Sequence, residues 1–185
     1  REFRVTGIDF AAEAIAESER RDLSRLARAS CAALPFRDES FDTAIMMDVL
    51  YHKGVPDKVG ALREARRVLK PGGSLYLNVP AYEWLRSSHD RAIHTDQRFT
   101  RGEIVRLLRE AGLSPTFTTY WNTLLFPAAA AVRLMRKGRA GGESDLGGDG
   151  GESRICAGML WIERRLIRVA PMPFGLSVFG VARRD

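Results

Sequence analysis

The sequence predicts an α/β domain with a mainly parallel sheet. Three observations predict it. Short apolar or β-branched runs alternate with helical segments, the first run delivers an acid at its end in Gly7-Ile8-Asp9, and proline or glycine closes most segments. With 185 residues, 45% hydrophobic and 28% charged, the chain fits one domain, 1–185, with a buried core.

Taken in order, Phe3 to Ile8 alternates loosely and reads as a buried strand ending at Asp9. Ala11 to Arg21 is rich in Ala and Glu, so a helix follows, and Leu26 to Ala29 is a short second strand. Phe41 to Val49 holds the apolar run Ala44-Ile45-Met46-Met47, the pattern of a strand buried on both faces. Pro56-Asp57 opens a helix with Val59, Leu62, Ala65 and Leu69 near helical spacing, and Lys70-Pro71-Gly72-Gly73 stops it. Ser74 to Val79 is a strand closed by Pro80. Thr100 and Glu103 form a capping-box pair, Ile104, Leu107, Leu108 and Ala111 make one apolar face, and Gly112 ends that helix. Thr116 to Tyr120 is β-branched and aromatic, hence a strand.

The rhythm then changes. Residues 121–176 read as a helical and glycine-rich insertion between the last two strands. Leu124 to Arg136 is helical, and Gly138 to Gly151, with seven of the 17 glycines, is a surface loop. Ile155, Met159, Ile162, Leu166 and Val169 trace one helix face, with Arg164, Arg165 and Arg168 elsewhere on it. Pro171 and Pro173 end that helix, and Ser177 to Ala182 is the final strand.

The formal charge is +6, almost all from Arg, since Lys occurs only at positions 53, 58, 70 and 137. The arginines sit beside acids in helices, as in Glu163-Arg164-Arg165, without basic runs interleaved with aromatics, so no nucleic-acid partner is expected. Cys31 and Cys156 are far apart and in no metal-ligand spacing, so free thiols in a reducing setting and no metal are expected. There is no signal-like pattern at the start of the sequence. Leu124 to Val132 is too short to cross a bilayer, and a cytoplasmic location is the expectation.

In an open α/β sheet, ligands bind beyond the carboxyl ends of the strands. Asp9 stands at such an end, where a carboxylate accepts from both hydroxyls of a ribose; capping the following helix is the competing role.

The run Leu34-Pro35-Phe36-Arg37-Asp38-Glu39-Ser40-Phe41-Asp42 resembles the LPF-x-D-x-S-F-D signature of the methyltransferase type 11 group, a branch of the class I S-adenosyl-L-methionine-dependent methyltransferases. Asp48-Val49-Leu50-Tyr51-His52 is similar to its D-x-L-x-H. Glu64 to Gly73 is similar to its E-x-x-R-V-L-K-P-G-G. Val79-Pro80-Ala81-Tyr82, Ser88-His89-Asp90, His94, Arg98-Phe99-Thr100, Tyr120-Trp121-Asn122 and Pro173 to Ser177 resemble a narrower bacterial branch. That branch implies a small-molecule or glycolipid-type acceptor.

The resemblance implies a Rossmann-like class I methyltransferase sheet of order 3-2-1-4-5-7-6, the last strand antiparallel. It implies S-adenosyl-L-methionine as cofactor, with Asp9 on the ribose, Phe10 against the adenine, Ser30 and Cys31 at the adenine edge, and Asp48 facing the methionine part. His89, Asp90 and His94 fall at the mouth of the substrate site with Tyr82 and Arg98 near them. There a His could take a proton from the acceptor, or the same residues could hold a lid by hydrogen bonds.

The family's central first strand, its Gly-x-Gly-x-Gly turn and its first helix have no counterpart in the sequence. The expectation is therefore a fragment of a longer enzyme, the alternative a catalytically impaired remnant. A nicotinamide dehydrogenase also ends a strand in a ribose-binding acid, but the LPF and KPGG runs do not fit one. The two insertion helices, apolar with arginines alongside, could pack on the core or make peripheral membrane contact.

Overall fold

The computed structural model describes residues 4–21, 23, 25–136 and 152–185. The side chains of residues 88, 89, 132–136 and 152–156 lie outside that description, and so does the glycine-rich stretch 138–151.

The chain opens with β1 (Gly7–Asp9), α1 (Ala12–Glu19) and β2 (Leu26–Arg28), packed on one another. β1 and β2 pair in parallel, Ile8 opposite Ala27. Then come β3 (Phe41–Met47), α2 (Lys58–Val68), β4 (Leu69–Pro80), α3 (Ser88–Ala92), α4 (Arg101–Glu110), β5 (Ser114–Trp121), α5 (Phe126–Arg136), α6 (Glu152–Leu166) and β6 (Ser177–Arg183). These four strands form a second sheet of order β3-β4-β6-β5, with β3 parallel to β4 and β6 antiparallel to both neighbours.

The two sheets, β2–β1 and β3–β4–β6–β5, each follow part of the family order. The central place between β1 and β3 is held by no strand among the described residues. Among the described residues β1 and β3 each keep one unpaired edge, which in a native sheet is normally filled or covered.

Helices α2 and α4 cover one face of the larger sheet. Asp57 caps α2, its Oδ1 accepting from the Gly60 N–H at 2.8 Å, and Ala61, Leu62, Ala65 and Val68 form its buried stripe. In α4 the Thr100–Glu103 capping box is complete in both directions, and Gly112 follows with φ +77, a conformation that favours glycine. Between the helices and the sheet lie Leu62, Leu75, Leu77, Val79, Ile104, Leu108, Leu113 and Val178, each at most 2% exposed. Each Leu or Val so placed stabilises the fold by about 1.5–3 kcal/mol relative to exposure.

Three expectations need correction. β3 is not buried on both faces: Met46 faces the core at 7% exposure, but Ile45 on the other face is 69% exposed. Ile45 and Met47 alternate with Met46 onto the sheet face that is open at β3. β4 begins at Leu69 rather than Ser74, because the Lys70–Gly73 segment is itself stitched into the sheet. Leu69 pairs with Phe41, the Gly72 N–H donates to the Arg184 carbonyl, and Gly72 takes φ +76. Finally, Ile162, Leu166 and Val169 do not pack inward. The inward residue of that turn is Glu163, 1% exposed, whose carboxylate accepts from the buried Thr123 N–H at 2.8 Å.

Candidate active site

The carboxyl ends of β3 and β4 and the start of antiparallel β6 meet at one edge of the sheet. An open cleft of about 260 Å³ lies there, lined by Asp48, Tyr51, Pro80, Asp90, Ile93, Arg98, Leu176 and Ser177. Two residues with positive φ turn the chain into it. Asp48 (φ 55) follows β3 and Tyr82 (φ 56) follows β4, so both strands break sharply at this edge. Asp48 is held from the neighbouring strand: its N–H donates to the Asn78 carbonyl, and its Oδ1 accepts from Asn78 Nδ2, each at 3.0 Å.

Asp90 and Arg98 form the floor of this cleft. Their side chains are 1% and 5% exposed, with Arg98 Nε on Asp90 Oδ1 at 2.8 Å and Arg98 Nη2 on Oδ2 at 3.0 Å. The remaining guanidinium nitrogen donates to the Ala81 carbonyl, and the Ser87 N–H donates to Asp90 Oδ2. Burial pushes the Asp90 carboxyl up, but the Arg98 guanidinium and the Ser87 N–H outweigh it and hold it below the ordinary carboxylate value. Both oxygens of Asp90 and all faces of the Arg98 fork are engaged inside the protein.

The loop around this pair is laced to the turn after β3. Arg86 donates to the carbonyls of Thr95 and Asp96, the Asp96 N–H donates to the Tyr51 carbonyl, and Lys58 bridges to Asp96 at 3.0 Å. His94 (φ 54) is exposed, with its ring 6.0 Å from that of His52. It stands beside the loop and is not among the residues lining the cleft. The His89 side chain lies outside the described residues.

Tyr82 stacks on Tyr120 at 5.1 Å and approaches Trp84 at 5.9 Å and Phe126 at 5.8 Å; Phe126 in turn meets Phe174 at 5.3 Å. This aromatic wall adjoins the cleft, since Pro80 and Leu176, two residues from Tyr82 and Phe174, line it. Burial, with the Tyr120 hydroxyl beside it, pushes the Tyr82 phenol well above its ordinary value, so it stays protonated.

The other sequence-derived residues lie on the smaller sheet. Asp9 is exposed at the end of β1, and its Oδ1 accepts from the Ala11 N–H at 2.8 Å. Ala11 holds the N-cap position of α1 and makes no side-chain cap bond. Phe10 is 74% exposed. Ser30 and Cys31 open a short turn after β2 in which Ser30 bridges to Ala33, and burial pushes the Cys31 thiol up. Asp9 and Ser30 thus stand near the carboxyl ends of neighbouring parallel strands, as the resemblance implies.

Tyr51 is the lining residue that sequence reasoning passed over. It is 9% exposed, and burial, then the negative charges of Asp48 and Asp90, push its phenol up, so it is a proton-bearing donor in the cleft. Its signal was present within Asp48-Val49-Leu50-Tyr51-His52. Leu176 and Ser177 carried a signal only as part of the Pro173 to Ser177 resemblance; that they line this cleft follows from the antiparallel return of β6.

Among the described residues no group of His, Cys, Asp or Glu could hold a metal ion, and no helix is long and apolar enough to cross a membrane.

Residues 1–77 match the family model of the type 11 methyltransferase domain. Over 95 residues the chain is 35% identical to the 27-O-demethylrifamycin SV methyltransferase of Amycolatopsis mediterranei, a match spanning 47% of this chain and 34% of that protein. The chain spans about a third or less of the length of the curated relatives it matches. The S-adenosylmethionine-dependent methyltransferase structure from Methanosarcina mazei superposes with TM-score 0.60 at 20% identity, over 97% of this chain and 81% of that one. Geranyl diphosphate C-methyltransferase from Streptomyces coelicolor superposes with TM-score 0.61 at 17% identity, over 98% and 63%.

Proposed function

From a chain that has the class I methyltransferase fold and, over residues 1–77, the type 11 methyltransferase sequence, we propose that it serves S-adenosyl-L-methionine-dependent methyl transfer to a small-molecule acceptor. The observation that carries this reading is that Asp9 and the Ser30-Cys31 turn follow the parallel pair β1 and β2, while Asp48 follows β3, parallel to β4, with a cleft opening beside it. Such a set of donors and acceptors suits the parts of that cofactor. The Asp9 carboxylate would accept from the ribose hydroxyls and Phe10 would lie on the adenine. Ser30 and Cys31 would meet the adenine edge, and Asp48 the methionine ammonium.

The cofactor, when bound, supplies an electrophilic methyl group. The chain's own residues then orient the acceptor and manage its proton. Methyl transfer is an in-line displacement, so holding the acceptor atom in line is most of the work. Tyr51 donates a hydrogen bond into the cleft, and Tyr82 and the aromatic wall pack the acceptor's apolar body. Asp90 and Arg98, each engaged by the other, position the loop that carries His89 and His94. Where the acceptor is a hydroxyl or an amine, the proposed proton acceptor is His89 or His94 of that loop, His94 standing outside the cleft lining. An apolar or ring-bearing acceptor fits the wall best; a lipid-linked one is a special case of it.

The activity is proposed for a longer polypeptide in which a further strand fills the place between β1 and β3. The second reading, a non-enzymatic remnant, rests on that empty place in the sheet. Calorimetric titration of S-adenosyl-L-methionine decides between them. Binding that Asp48→Ala weakens at least tenfold supports the assignment, and binding that Asp48→Ala leaves unchanged removes Asp48 from the site. No binding by a chain extended upstream would favour the remnant.

A further inference from the structure

The outer surface of α6 and the turn after it gathers exposed apolar side chains beside arginines. Trp161, Ile162, Leu166 and Val169 are 58%, 47%, 44% and 87% exposed. On α6 Trp161, Ile162 and Leu166 share one arc with Arg165, and Arg164 lies at its edge; Arg168 and Val169 follow in the turn that ends the helix. The Arg165 guanidinium lies 4.6 Å from the centre of the Trp161 ring, over its face. Four large apolar side chains in water, on the face opposite a buried carboxylate, are a cost that a monomer in solution gains nothing from.

Glu163 anchors the opposite face. It accepts from the Thr123 N–H, and the Thr123 hydroxyl donates to the carbonyl of Phe174, a member of the aromatic wall. The helix therefore has one side tied to the wall of the cleft and the other free.

We propose that this arc of α6 docks on the surface of an anionic lipid bilayer, with Trp161, Ile162, Leu166 and Val169 entering the headgroup boundary and Arg164, Arg165 and Arg168 meeting lipid phosphates. Charge complementarity selects this occupant. An apolar stripe alone would suit another protein equally well, but Arg165 stands on this one with Arg164 and Arg168 beside it, no acid lies on the arc among the described residues, and the whole chain carries +6. A tryptophan beside arginine is also the pairing suited to the interface, where the ring stays in the apolar boundary and the guanidinium in the headgroups. The inference does not rest on the transfer reading: it concerns where the protein sits, not what it catalyses. If both hold, an apolar acceptor partitioned in the bilayer is presented beside the aromatic wall.

The test is co-sedimentation of the full chain with vesicles of phosphatidylcholine alone and of phosphatidylcholine with phosphatidylglycerol. Binding to the anionic vesicles only, weakening as salt is raised, is the expected result. Arg164→Gln, Arg165→Gln and Arg168→Gln together should weaken partitioning roughly a hundredfold. Trp161→Ser with Leu166→Ser should also weaken it, with far-UV circular dichroism and the melting temperature unchanged because these side chains are already exposed. Absence of sedimentation with anionic vesicles overturns the proposal, as does binding that neither variant alters. Self-association in sedimentation velocity that Trp161→Ser/Leu166→Ser abolishes would overturn it too, by assigning the arc to a second copy.

Discussion

Asp90→Asn tests the floor of the cleft. In the native protein the carboxylate is 1% exposed and takes two guanidinium nitrogens of Arg98 and the Ser87 N–H. Asn keeps the volume but removes the charge, leaving Arg98 buried with only the Ala81 carbonyl as a full partner. Breaking one side of a buried ion pair costs about 3–5 kcal/mol. For a chain of this size that is roughly a 6–20 °C fall in Tm, at about 2–4 °C per kcal/mol. Urea unfolding followed by tryptophan fluorescence reads the loss directly as a lower midpoint with an unchanged slope.

The same pair has an acid signature. The Asp90 pKa is lowered in the folded state, so its contribution is present above the ordinary Asp pKa of about 3.9 and is lost as pH falls through the lower folded value. Asp90→Asn should therefore flatten stability against pH in that acid window. Arg98→Met combined with Asp90→Leu should recover much of the loss, because a buried pair replaced by apolar volume is often neutral. A loss below about 1 kcal/mol for Asp90→Asn alone, small beside the 3–5 expected, would refute the structural account. Asp90 would then be free for chemistry.

Other substitutions probe the frame of the same cleft. Gly175→Ala would bring a Cβ to 2.4 Å from the Trp121 carbonyl oxygen, a backbone atom with little room to yield. A loss of at least about 2 kcal/mol is expected in thermal unfolding, with weaker acceptor binding because Leu176 moves with it. Thr100→Ala removes the hydroxyl that accepts from the Glu103 N–H and donates to its carboxylate. It should cost about 1 kcal/mol in urea, and Thr100→Ser should restore most of it. Tyr51→Phe should leave Tm within about 2 °C, since only an exchange of one hydroxyl is involved, but raise KM for the acceptor. An unchanged KM would remove Tyr51 from the site.

Much was legible in the chain alone, and the reason is local. Asp57, Thr100 with Glu103, and Gly112 mark helix ends through the short-range hydrogen bonds and φ values that those residues make possible. The order of the strands and the acids after β1 and β3 followed from the LPF, D-x-L-x-H and KPGG runs. What sequence could not decide was long-range. Ile45 and Met47 read as buried, but the sheet face they stand on is open in the folded chain, which an apolar run by itself does not report. Asp90 and Arg98 read as groups for the substrate; only the folded loop shows each satisfied by the other eight positions away. On α6 the periodicity drew a face but not its direction. A single buried carboxylate, Glu163 against the Thr123 N–H, turned the apolar arc outward, because a buried acid must have a partner and an exposed leucine need not.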